Sequence, residues 1–389
     1  MGKKINLLNV NKLRIVFIIP NLGKGGAERV LANVIEDLDR RIFEISCVFY
    51  DSRHTYTIAN DINIFTLSLM GSTNVIKKIY LSFARIIKIR NIINSQYPDV
   101  VVSFLPGVNL TAIAARMVSS HKHKLIISEH SIPSLHLFGI TNNFLKLLLR
   151  LLYNKADAII AVSKGVKNDL IMNFGIDRNK IIVINNPINK ERIQILSKEK
   201  IIELKLFDSP IPVIITAGSL TEAKGQEYLL RAFKIVRTTI NCKLLILGEG
   251  HKEYVLKKIA TRLGIINDIT FMGFQSNPYK FIAHSSVFVL SSLWEGFSNV
   301  LVEAMACNVP VISTDCKSGP REIISHMSDG ILVPVKNEQK LAEAITLVLT
   351  NQTLAGTLVS NAAQKIQAFS MTKIINEYTS LLINNANVN

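Results

Sequence analysis

The segment Val287-Phe-Val-Leu-Ser-Ser-Leu-Trp-Glu-Gly-Phe-Ser-Asn-Val-Leu-Val-Glu303 contains an apolar run, a polar loop and the beginning of a helical pattern. Its first four residues have the Val-rich composition of a buried strand. Ser298 is a suitable N-cap for a helix that begins around Asn299. Glu295 would then lie at the carboxyl end of a strand, beside the only Trp in the chain. A strand followed by a loop and a helix is the repeating unit of parallel α/β folds.

The two acidic residues of this segment, Glu295 and Glu303, are candidate ligand contacts. Glu303 lies among apolar neighbours on the predicted helix, where burial of a carboxylate is costly unless hydrogen-bond donors contact it. Hydroxyl groups of a sugar and a ribose would be such donors, and the helix amino end would favour a phosphate between the two acids. The alternative is an exposed helical glutamate and an unrelated loop glutamate.

The alternation of apolar runs and helical patterns extends over the whole chain. Near-continuous Val and Ile runs separated by helices are typical of parallel sheets covered on both faces. The pattern therefore predicts an α/β protein with two doubly wound, Rossmann-like units, whose ligands bind at the carboxyl ends of the strands. The ten predicted strands are residues 14–19, 45–50, 100–104, 125–128, 158–162, 213–217, 243–247, 269–271, 287–290 and 309–314.

A segment with three prolines and many charges, residues 186–212, separates the fifth and sixth predicted strands. Such a composition is typical of a domain boundary. We therefore expect a first domain at 1–190, a linker at 191–210, a second domain at 211–368, and a C-terminal helical segment at 369–389 that packs back on the first domain.

Two further loops follow predicted strands and precede helices. The first, Pro20-Asn-Leu-Gly-Lys-Gly-Gly-Ala-Glu-Arg29, contains Gly25 and Gly26, which allow the backbone to approach a ligand at a helix amino end. It lacks the G-x-G-x-x-G spacing of dinucleotide sites, and a simple tight turn is an equal alternative. The second, Ala217-Gly-Ser-Leu-Thr-Glu-Ala-Lys-Gly-Gln226, contains Lys224. This lysine would either meet a diphosphate as a point charge or remain exposed in the loop.

Together these segments resemble the retaining glycosyltransferases of the GT4 family (glycosyl transferases group 1), and the resemblance extends over nearly the whole chain. That family has the GT-B fold, in which two Rossmann-like domains face each other across a cleft. The motifs that carry the resemblance are, in chain order, the glycine loop 23–26, Ser128-Glu-His130, Ala161-Val-Ser-Lys164, the segment 218–225, Leu247-Gly-Glu-Gly250, and Glu295 and Glu303 separated by seven residues.

The resemblance implies a role for each of these residues. Lys224 would bind the donor diphosphate, and Glu303 would bind the nucleotide ribose. Glu295 would contact the donor sugar near the reacting carbon, and His130 would face that sugar from the acceptor-binding first domain, so that these two are the candidate catalytic residues. The remaining implied contacts are backbone amides of Phe297, Ser298, Asn299 and Val300 to sugar and phosphate, and Gly25 and Gly26 as borders of both substrate sites.

One position departs from the family pattern. Many members carry Arg five residues before the diphosphate-binding lysine, where this chain has Ser219. Half of the usual cationic clamp on the diphosphate is therefore missing. We expect Arg321, or alternatively Lys317, to supply the missing charge from the loop after the strand predicted at 309–314.

The sequence also bears on the mechanism. No Asp-x-Asp motif follows a predicted strand, so we expect no metal ion. Protein cations and helix amino ends would then stabilise the leaving diphosphate. The resemblance implies a uridine-linked donor and front-face attack, with the leaving phosphate as the base. Because it assigns the two glutamates to different parts of the donor, they are not the acid and base of a glycosidase.

The net charge of +16 is distributed unevenly along the chain. Residues 1–190 carry 25 Lys and Arg against 12 Asp and Glu, whereas residues 191–389 carry 20 against 17. Because the resemblance places the nucleotide in the second half, the excess in the first indicates attraction to an anionic membrane or a phosphorylated lipid carrier. Two basic segments with many apolar residues, 74–94 and 144–155, would lie on such a surface, although two ordinary core-facing helices fit equally well.

These inferences predict transfer of a sugar from a nucleotide diphosphate to a glycan or lipid-linked acceptor in capsule or lipopolysaccharide assembly. The protein would be peripheral on the cytoplasmic face of the plasma membrane. A nucleotide-sugar epimerase shares the fold and is the alternative enzyme; it would turn over donor without acceptor. A basic nucleic-acid-binding protein is disfavoured because only 7% of residues are aromatic and no binding motif is recognisable.

Overall fold

The computed structural model describes residues 12–23, 25–53, 55–56, 58–69, 75–136, 140–202 and 205–386. Within these ranges the chain forms two compact units. The first unit contains the described residues up to Val162, then Lys167–Ile184, and the C-terminal segment from Ile374. The second contains Ser163–Val166 and Asn185–Lys373. The chain therefore leaves the first unit after Ile184 and returns to it in its last helix.

The first unit is built on a parallel sheet of seven strands, counted over the described residues. The strands are β1 (Leu13–Ile19), β2 (Phe43–Phe49), β3 (Asn63–Thr66), β4 (Val100–Phe104), β5 (Lys124–Glu129), β6 (Ala158–Ala161) and β7 (Ile181–Val183), in the order β3-β2-β1-β4-β5-β6-β7. The helices that follow them in the chain are α1 (Gly26–Asp37), α2 (Val75–Gln96), α3 (Pro106–Met117), α4 (Pro133–His136), α5 (Ile140–Leu152) and α6 (Lys164–Phe174).

The second unit repeats this plan. Its strands are β8 (Val213–Ala217), β9 (Lys243–Leu247), β10 (Ile269–Phe271), β11 (Val287–Leu290), β12 (Trp294–Glu295), β13 (Val311–Thr314), β14 (Lys317–Ser318) and β15 (Ile331–Val333). The described strands form one parallel sheet in the order β10-β9-β8-β11-β13-β15 and a separate pair, β12-β14. The helices are α7 (Lys190–Leu196), α8 (Gln226–Arg237), α9 (Glu253–Arg262), α10 (Tyr279–Ala283), α11 (Asn299–Ala306), α12 (Pro320–Ile323), α13 (Glu338–Thr350), α14 (Gln352–Lys365) and α15 (Met371–Ala386), the last of which returns to the first unit.

The central strands explain why the chain folds in this way. All residues of β4 and β11 are buried, as is most of β1. Helices cover a doubly wound sheet on both faces, and the Val and Ile side chains on each face are therefore removed from water. Each of the ten predicted strands is present, and the prediction of two parallel α/β units is confirmed.

Five strands were not predicted: β3, β7, β12, β14 and β15. β3, β7 and β15 lie at the ends of their sheets and have three or four residues each. β3 is largely exposed, so its sequence needs no continuous apolar run. β12 and β14 have only two residues each.

Among the described helices, none is long and apolar enough to cross a bilayer.

Candidate active site

Each sheet has a topological switch point near its centre. β1 lies between β2 and β4, and β8 lies between β9 and β11. The connecting helices run to opposite faces of the sheet at such a point, so the loops at the carboxyl ends of the two strands separate and leave room for a ligand. The glycine loop follows β1, the Lys224 loop follows β8, and the Glu295 loop follows β11. The sequence motifs therefore lie where this class of sheet binds ligands.

Lys224 and Glu295 meet at the switch point of the second sheet. Lys224 Nζ donates a hydrogen bond to Glu295 Oε1 at 2.6 Å, and Ser292 Oγ donates to the same oxygen at 2.6 Å. Glu295 is buried, and the lysine side chain is 21% exposed. Among the described residues, no donor contacts Glu295 Oε2. One carboxylate oxygen is therefore committed to the protein, and the other can accept a hydrogen bond from a ligand.

The loops that carry these two residues are joined to each other by main-chain contacts. Ser291 Oγ donates to the Lys224 carbonyl at 2.9 Å, and the Leu293 amide donates to the Ala223 carbonyl at 2.7 Å. Gly225 adopts a left-handed conformation with φ of 57°, and a side chain there would collide with the Ser291 carbonyl. Glycine is thus required both for the turn and for the close approach of the two loops.

The helix α11 begins directly after Glu295 and its loop. The predicted start at Asn299 is confirmed, and Ser298 occupies the N-cap position, but its hydroxyl makes no capping hydrogen bond. That hydroxyl is buried and has no partner among the described residues. Phe297 is buried against Phe369 with ring centroids 5.4 Å apart. Because the first amides of a helix lack intrahelical acceptors, the stretch from Ser298 to Val300 offers donors to an anion or a hydroxyl.

Glu303 lies on the buried face of α11. Its exposed fraction is only 6%, so the expectation of a carboxylate in apolar surroundings is confirmed. Glu303 contributes to raising the pKa of the neighbouring Cys307 thiol to about 12, an effect caused mainly by burial of the thiol. A largely buried carboxylate about one helical turn from the helix amino end can accept two hydrogen bonds from a ribose.

Sequence reasoning missed Asn186, which lies in the segment interpreted as the domain boundary. Asn186 Nδ2 donates to Asn299 Oδ1 at 2.7 Å, and Asn186 Oδ1 is buried without a partner among the described residues. Asn186 therefore supports the first turn of α11 and presents an acceptor beside it. The sequence did contain a signal for this residue: the short apolar run of β7 ends three residues before Asn186, so Asn186 follows the carboxyl end of a strand.

The loop expected to replace the missing arginine lies beside the Glu295 loop. β14 pairs with β12, and a side chain at Gly319 would lie 3.0 Å from Phe297 Cα. Arg321 is exposed, and its Nε donates to Asp315 at 2.8 Å in a two-point ion pair. Ser219 and Lys317 are exposed as well. Arg321 is thus engaged with Asp315, and its use for a diphosphate requires an exchange of partners.

The glycine loop of the first unit opens α1. Gly25 occupies the N-cap position, and Gly26 is the first helical residue. The carboxylate of Glu28 folds back over Gly25 and occupies the space that a side chain there would need. Burial raises the pKa of this Glu28 carboxyl. An acidic side chain of the first helical turn therefore already lies at this helix amino end, and the role of Gly25 and Gly26 as borders of a substrate site stays a prediction.

His130 directly follows β5 in the first unit. Its Nε2 lies 2.9 Å from Ser128 Oγ, and its ring stacks on Phe104 with centroids 5.2 Å apart. Burial lowers the pKa of His130 to about 3, so its imidazole is neutral at physiological pH. Nδ1 has no partner among the described residues. A neutral imidazole can exchange a hydrogen bond with a sugar hydroxyl, but it does not supply positive charge.

Two family models match the chain. The model described as Glycosyltransferase Family 4 matches residues 24–192, and the model described as Glycosyl transferases group 1 matches residues 197–365. The first match covers much of the first unit, and the second covers most of the second unit. The two family models together therefore include the motif-bearing loops that contain Gly25, Lys224 and Glu295.

The chain is similar to named transferases along its length. An N-acetylgalactosamine-N,N'-diacetylbacillosaminyl-diphospho-undecaprenol 4-alpha-N-acetylgalactosaminyltransferase of Campylobacter jejuni is 32% identical, and the match covers 95% of this chain and 99% of that protein. A second Campylobacter jejuni protein, GalNAc-alpha-(1->4)-GalNAc-alpha-(1->3)-diNAcBac-PP-undecaprenol alpha-1,4-N-acetyl-D-galactosaminyltransferase, is 28% identical over 95% of this chain and 98% of its own. The crystal structure of Anabaena Alr3699/HepE in complex with UDP-glucose superposes with a TM-score of 0.78 at 21% identity, covering 96% of this chain and 100% of that one.

Fold, motifs and relatives together define a glycosyltransferase with the GT-B fold. The chain belongs to the GT4 family, glycosyl transferases group 1. The predictions of fold, family and enzyme class are confirmed, and both Campylobacter jejuni relatives carry the names of transferases.

Proposed function

We propose that this protein transfers a sugar from a uridine diphosphate donor to a lipid-linked glycan acceptor in the assembly of a cell-surface polysaccharide. The observation that carries the proposal is the part-buried Lys224–Glu295 pair, in which Glu295 lies four residues before the first residue of α11. A cation and a helix amino end suit a diphosphate, and a carboxylate oxygen without a partner suits a sugar hydroxyl. The diphospho-undecaprenol acceptors named for the Campylobacter relatives and the UDP-glucose bound to Alr3699/HepE support these substrate classes.

The second unit would hold the donor along α11. The Lys224 ammonium has three N–H donors, of which one is used by Glu295, so two remain for diphosphate oxygens. The amides at Ser298, Asn299 and Val300 would contact the phosphate or the sugar, and Glu303 the ribose. The unpartnered Asn186 Oδ1 and Ser298 Oγ would gain hydrogen bonds from a ligand rich in hydroxyl groups.

The chemistry we propose is front-face substitution with retention at the anomeric carbon. The bond from that carbon to the diphosphate oxygen breaks, the acceptor hydroxyl oxygen bonds to the same face, and its proton passes to the leaving phosphate. Lys224 and the α11 amides stabilise the negative charge that develops on the diphosphate. Metal independence is part of the proposal, because Lys224 and the α11 amides would stabilise the negative charge of the leaving diphosphate without a metal ion. His130, being neutral, would orient a sugar hydroxyl.

A donor-binding screen tests the site. UDP at about 100 times its Kd is expected to stabilise the protein by about 2.7 kcal/mol, which a thermal-shift assay detects. Removing a charged hydrogen-bond acceptor weakens binding by about 1.5 to 3 kcal/mol, so Glu303→Ala is expected to lower UDP affinity by about 10- to 150-fold. GDP and ADP in the same screen test the choice of uridine.

Glu343→Ala is the matched control, because this exposed glutamate pairs with Lys340 on α13. Its response to UDP should equal that of the wild type. Equal responses of the wild type and Glu303→Ala would contradict the ribose assignment. Loss of transferase activity in EDTA, restored by Mg²⁺ or Mn²⁺, would contradict metal independence.

We also propose that the protein binds peripherally to an anionic membrane. The contact would be made by exposed apolar side chains of α2 and α5 rather than by a face of Lys and Arg side chains alone. In α2, Arg85 donates to the Leu69 carbonyl and Lys88 to the Leu67 carbonyl, each at 2.7 Å. These two cations are therefore directed toward their own unit. The residues that α2 and α5 expose include, besides charged and polar ones, seven that are large and apolar: Ile79, Tyr80, Phe83, Ile87, Phe144, Leu147 and Leu151.

This apolar surface has the features of an interfacial anchor. α3 packs against both α2 and α5, so the three helices form one layer on the first unit. Tyr80 is 68% exposed and Phe83 is 65% exposed, and a group of exposed apolar side chains of this kind is typical of an interaction surface. The first half of the chain carries the excess of positive charge. Exposed apolar side chains on a positively charged unit match the boundary of an anionic bilayer.

The double substitution Tyr80→Ser and Phe83→Ser is expected to weaken binding to anionic vesicles by at least about tenfold, since burying one such side chain contributes about 1.5 to 3 kcal/mol. Vesicle co-sedimentation with phosphatidylglycerol measures this, and phosphatidylcholine vesicles separate the electrostatic contribution. Tyr254→Ser is the control, because Tyr254 is 67% exposed on α9 of the second unit. Unchanged binding of the double variant would rule out α2 as the anchor.

A further inference from the structure

A buried acid that the proposed chemistry does not use lies directly before His130. Glu129 is the last residue of β5 and is completely buried. Its Oε1 accepts hydrogen bonds from Ser131 Oγ at 2.8 Å and from the Ser131 amide at 3.2 Å, and its Oε2 accepts one from Tyr153 OH at 3.0 Å. Among the described residues, no Lys or Arg contacts this carboxylate. Three neutral donors therefore stabilise it in place of a counter-ion.

The hydrogen bonds continue from Tyr153 into the body of the unit. Asn109 Nδ2 lies 3.3 Å from Tyr153 OH and also donates to the Ser128 carbonyl at 3.1 Å. Ser103 Oγ donates to Asn109 Oδ1 at 2.8 Å. All of these side chains are buried. The network thus links the carboxyl ends of β4 and β5 to α3 and to the turn that follows α5, and a fully paired buried network is rigid.

We propose that Glu129 is a positioning residue for His130, which it holds by closing the turn from residue 129 to 131. The Glu129 carboxylate bonds both the amide and the hydroxyl of Ser131, so the His130 backbone is enclosed in a hydrogen-bonded loop. From this fixed backbone the imidazole reaches Ser128 Oγ and stacks on Phe104. The importance of this positioning for transfer rests on the function proposed above, in which His130 faces the donor sugar.

The protonation state of Glu129 should control how well the turn is held. Burial raises the pKa of Glu129 to about 7, and the charge of Asp169 on α6 adds to the increase, while hydrogen bonds from Ser131 and Tyr153 oppose it. Asp169 itself accepts hydrogen bonds from Ser134 and from Asn173. The ionised carboxylate accepts three hydrogen bonds, whereas the protonated acid must donate one and then loses a donor. The turn is therefore held best above neutral pH.

Two variants separate positioning from simple structural support. Glu129→Gln retains the shape of the side chain but stays neutral, so it should resemble the protonated acid at every pH. In the wild type we expect kcat to rise with pH through an apparent pKa near 7, and in Glu129→Gln this limb should be absent. Tyr153→Phe removes one donor to the carboxylate and should move the limb to higher pH. UDP affinity should be unchanged in both variants, since its proposed contacts lie in the second unit.

A direct measurement on His130 does not depend on transferase activity. The ¹³C and ¹⁵N shifts of the His130 ring, assigned with a His130→Gln variant, should change with pH near 7 in the wild type and not in Glu129→Gln. Glu44→Gln, an exposed residue of β2, is the matched control and should retain the wild-type response. If the His130 ring shifts depend on pH in the same way in the wild type and in Glu129→Gln, the positioning role is overturned. If the ring responds as expected but no sugar is transferred, the positioning stands and the proposed function fails.

Discussion

Lys224→Met is expected to lower kcat/KM by about 100- to 1000-fold, which is the loss seen when one preorganised donor to developing negative charge is removed. Methionine retains most of the length and volume of lysine and removes only the charge and its N–H donors. The Lys224 ammonium lies 2.6 Å from Glu295 Oε1, so it is already oriented before a diphosphate arrives. Steady-state kinetics with a UDP-sugar and an undecaprenyl-diphosphate-linked acceptor measure the effect.

Loss of stability must be distinguished from loss of catalysis in this variant. Lys224→Met leaves the buried Glu295 carboxylate without its cation, and breaking such a pair costs about 3 to 5 kcal/mol when the remaining charge stays buried. The double variant Lys224→Met, Glu295→Gln removes both charges and should recover most of that stability. It should not recover activity, because the diphosphate still lacks its cation.

Lys252→Met is the matched control for the first prediction. Lys252 also forms an ion pair with a glutamate of the same unit, Glu222, but that pair is more exposed. Its loss should change kcat/KM by less than about fivefold, since exposed pairs contribute less than about 1 kcal/mol. Equal losses of activity in Lys224→Met and Lys252→Met would show that the diphosphate is bound elsewhere.

The local elements of both sheets were predictable because each buried strand is a Val- and Ile-rich run followed by a helical pattern. The motif residues Lys224 and Glu295 were predictable from the family resemblance, but their direct contact was not. It depends on β8 and β11 being neighbours, a pairing of strands about 75 residues apart that no local pattern encodes.

The orientation of side chains was the part that sequence patterns predicted least well. For segment 74–94 the sequence left two interpretations open, a basic helix on a membrane surface and a core-facing helix with a solvated basic face. In the structure Arg85 and Lys88 bond to carbonyls of their own unit, and Phe83 is exposed. Long side chains such as Arg and Lys reach back along a helix, so charge alone does not show which face meets solvent. The Glu129 network was missed for a related reason, because Tyr153 and Asn109 approach it only in the tertiary structure.

The second large effect concerns stability, and it follows from the raised pKa of Glu129. The ordinary value is 4.5 and the folded value is about 7, so between these limits the folded protein binds more protons than the unfolded chain. Stability conferred by protonated Glu129 is therefore present below pH 4.5 and is lost as the pH rises to about 7. The loss amounts to about 3 kcal/mol, at about 1.4 kcal/mol per pKa unit.

The ionisation of two buried histidines changes the stability of the protein in the opposite direction, over an overlapping pH range. Burial lowers the pKa of His123 to about 4 and that of His130 to about 3, from an ordinary value of 6.5. The unfolded chain binds more protons than the folded one in this case, so these groups make stability rise with pH until about 6.5. The pH dependence of wild-type stability is thus a sum of opposed contributions, and it does not by itself identify Glu129.

The difference between wild type and Glu129→Gln isolates the acid, because both proteins share the two histidines. Glutamine has no titrating group, so the variant should gain stability relative to the wild type by about 2 to 3 kcal/mol between pH 5 and pH 8. Urea unfolding at several pH values, with hydrogen exchange at the β5 amides to follow the first unit, measures this difference. Glu44→Gln should show no such trend. A constant difference between wild type and Glu129→Gln across this range would mean that Glu129 ionises below pH 5, with its three donors outweighing its burial.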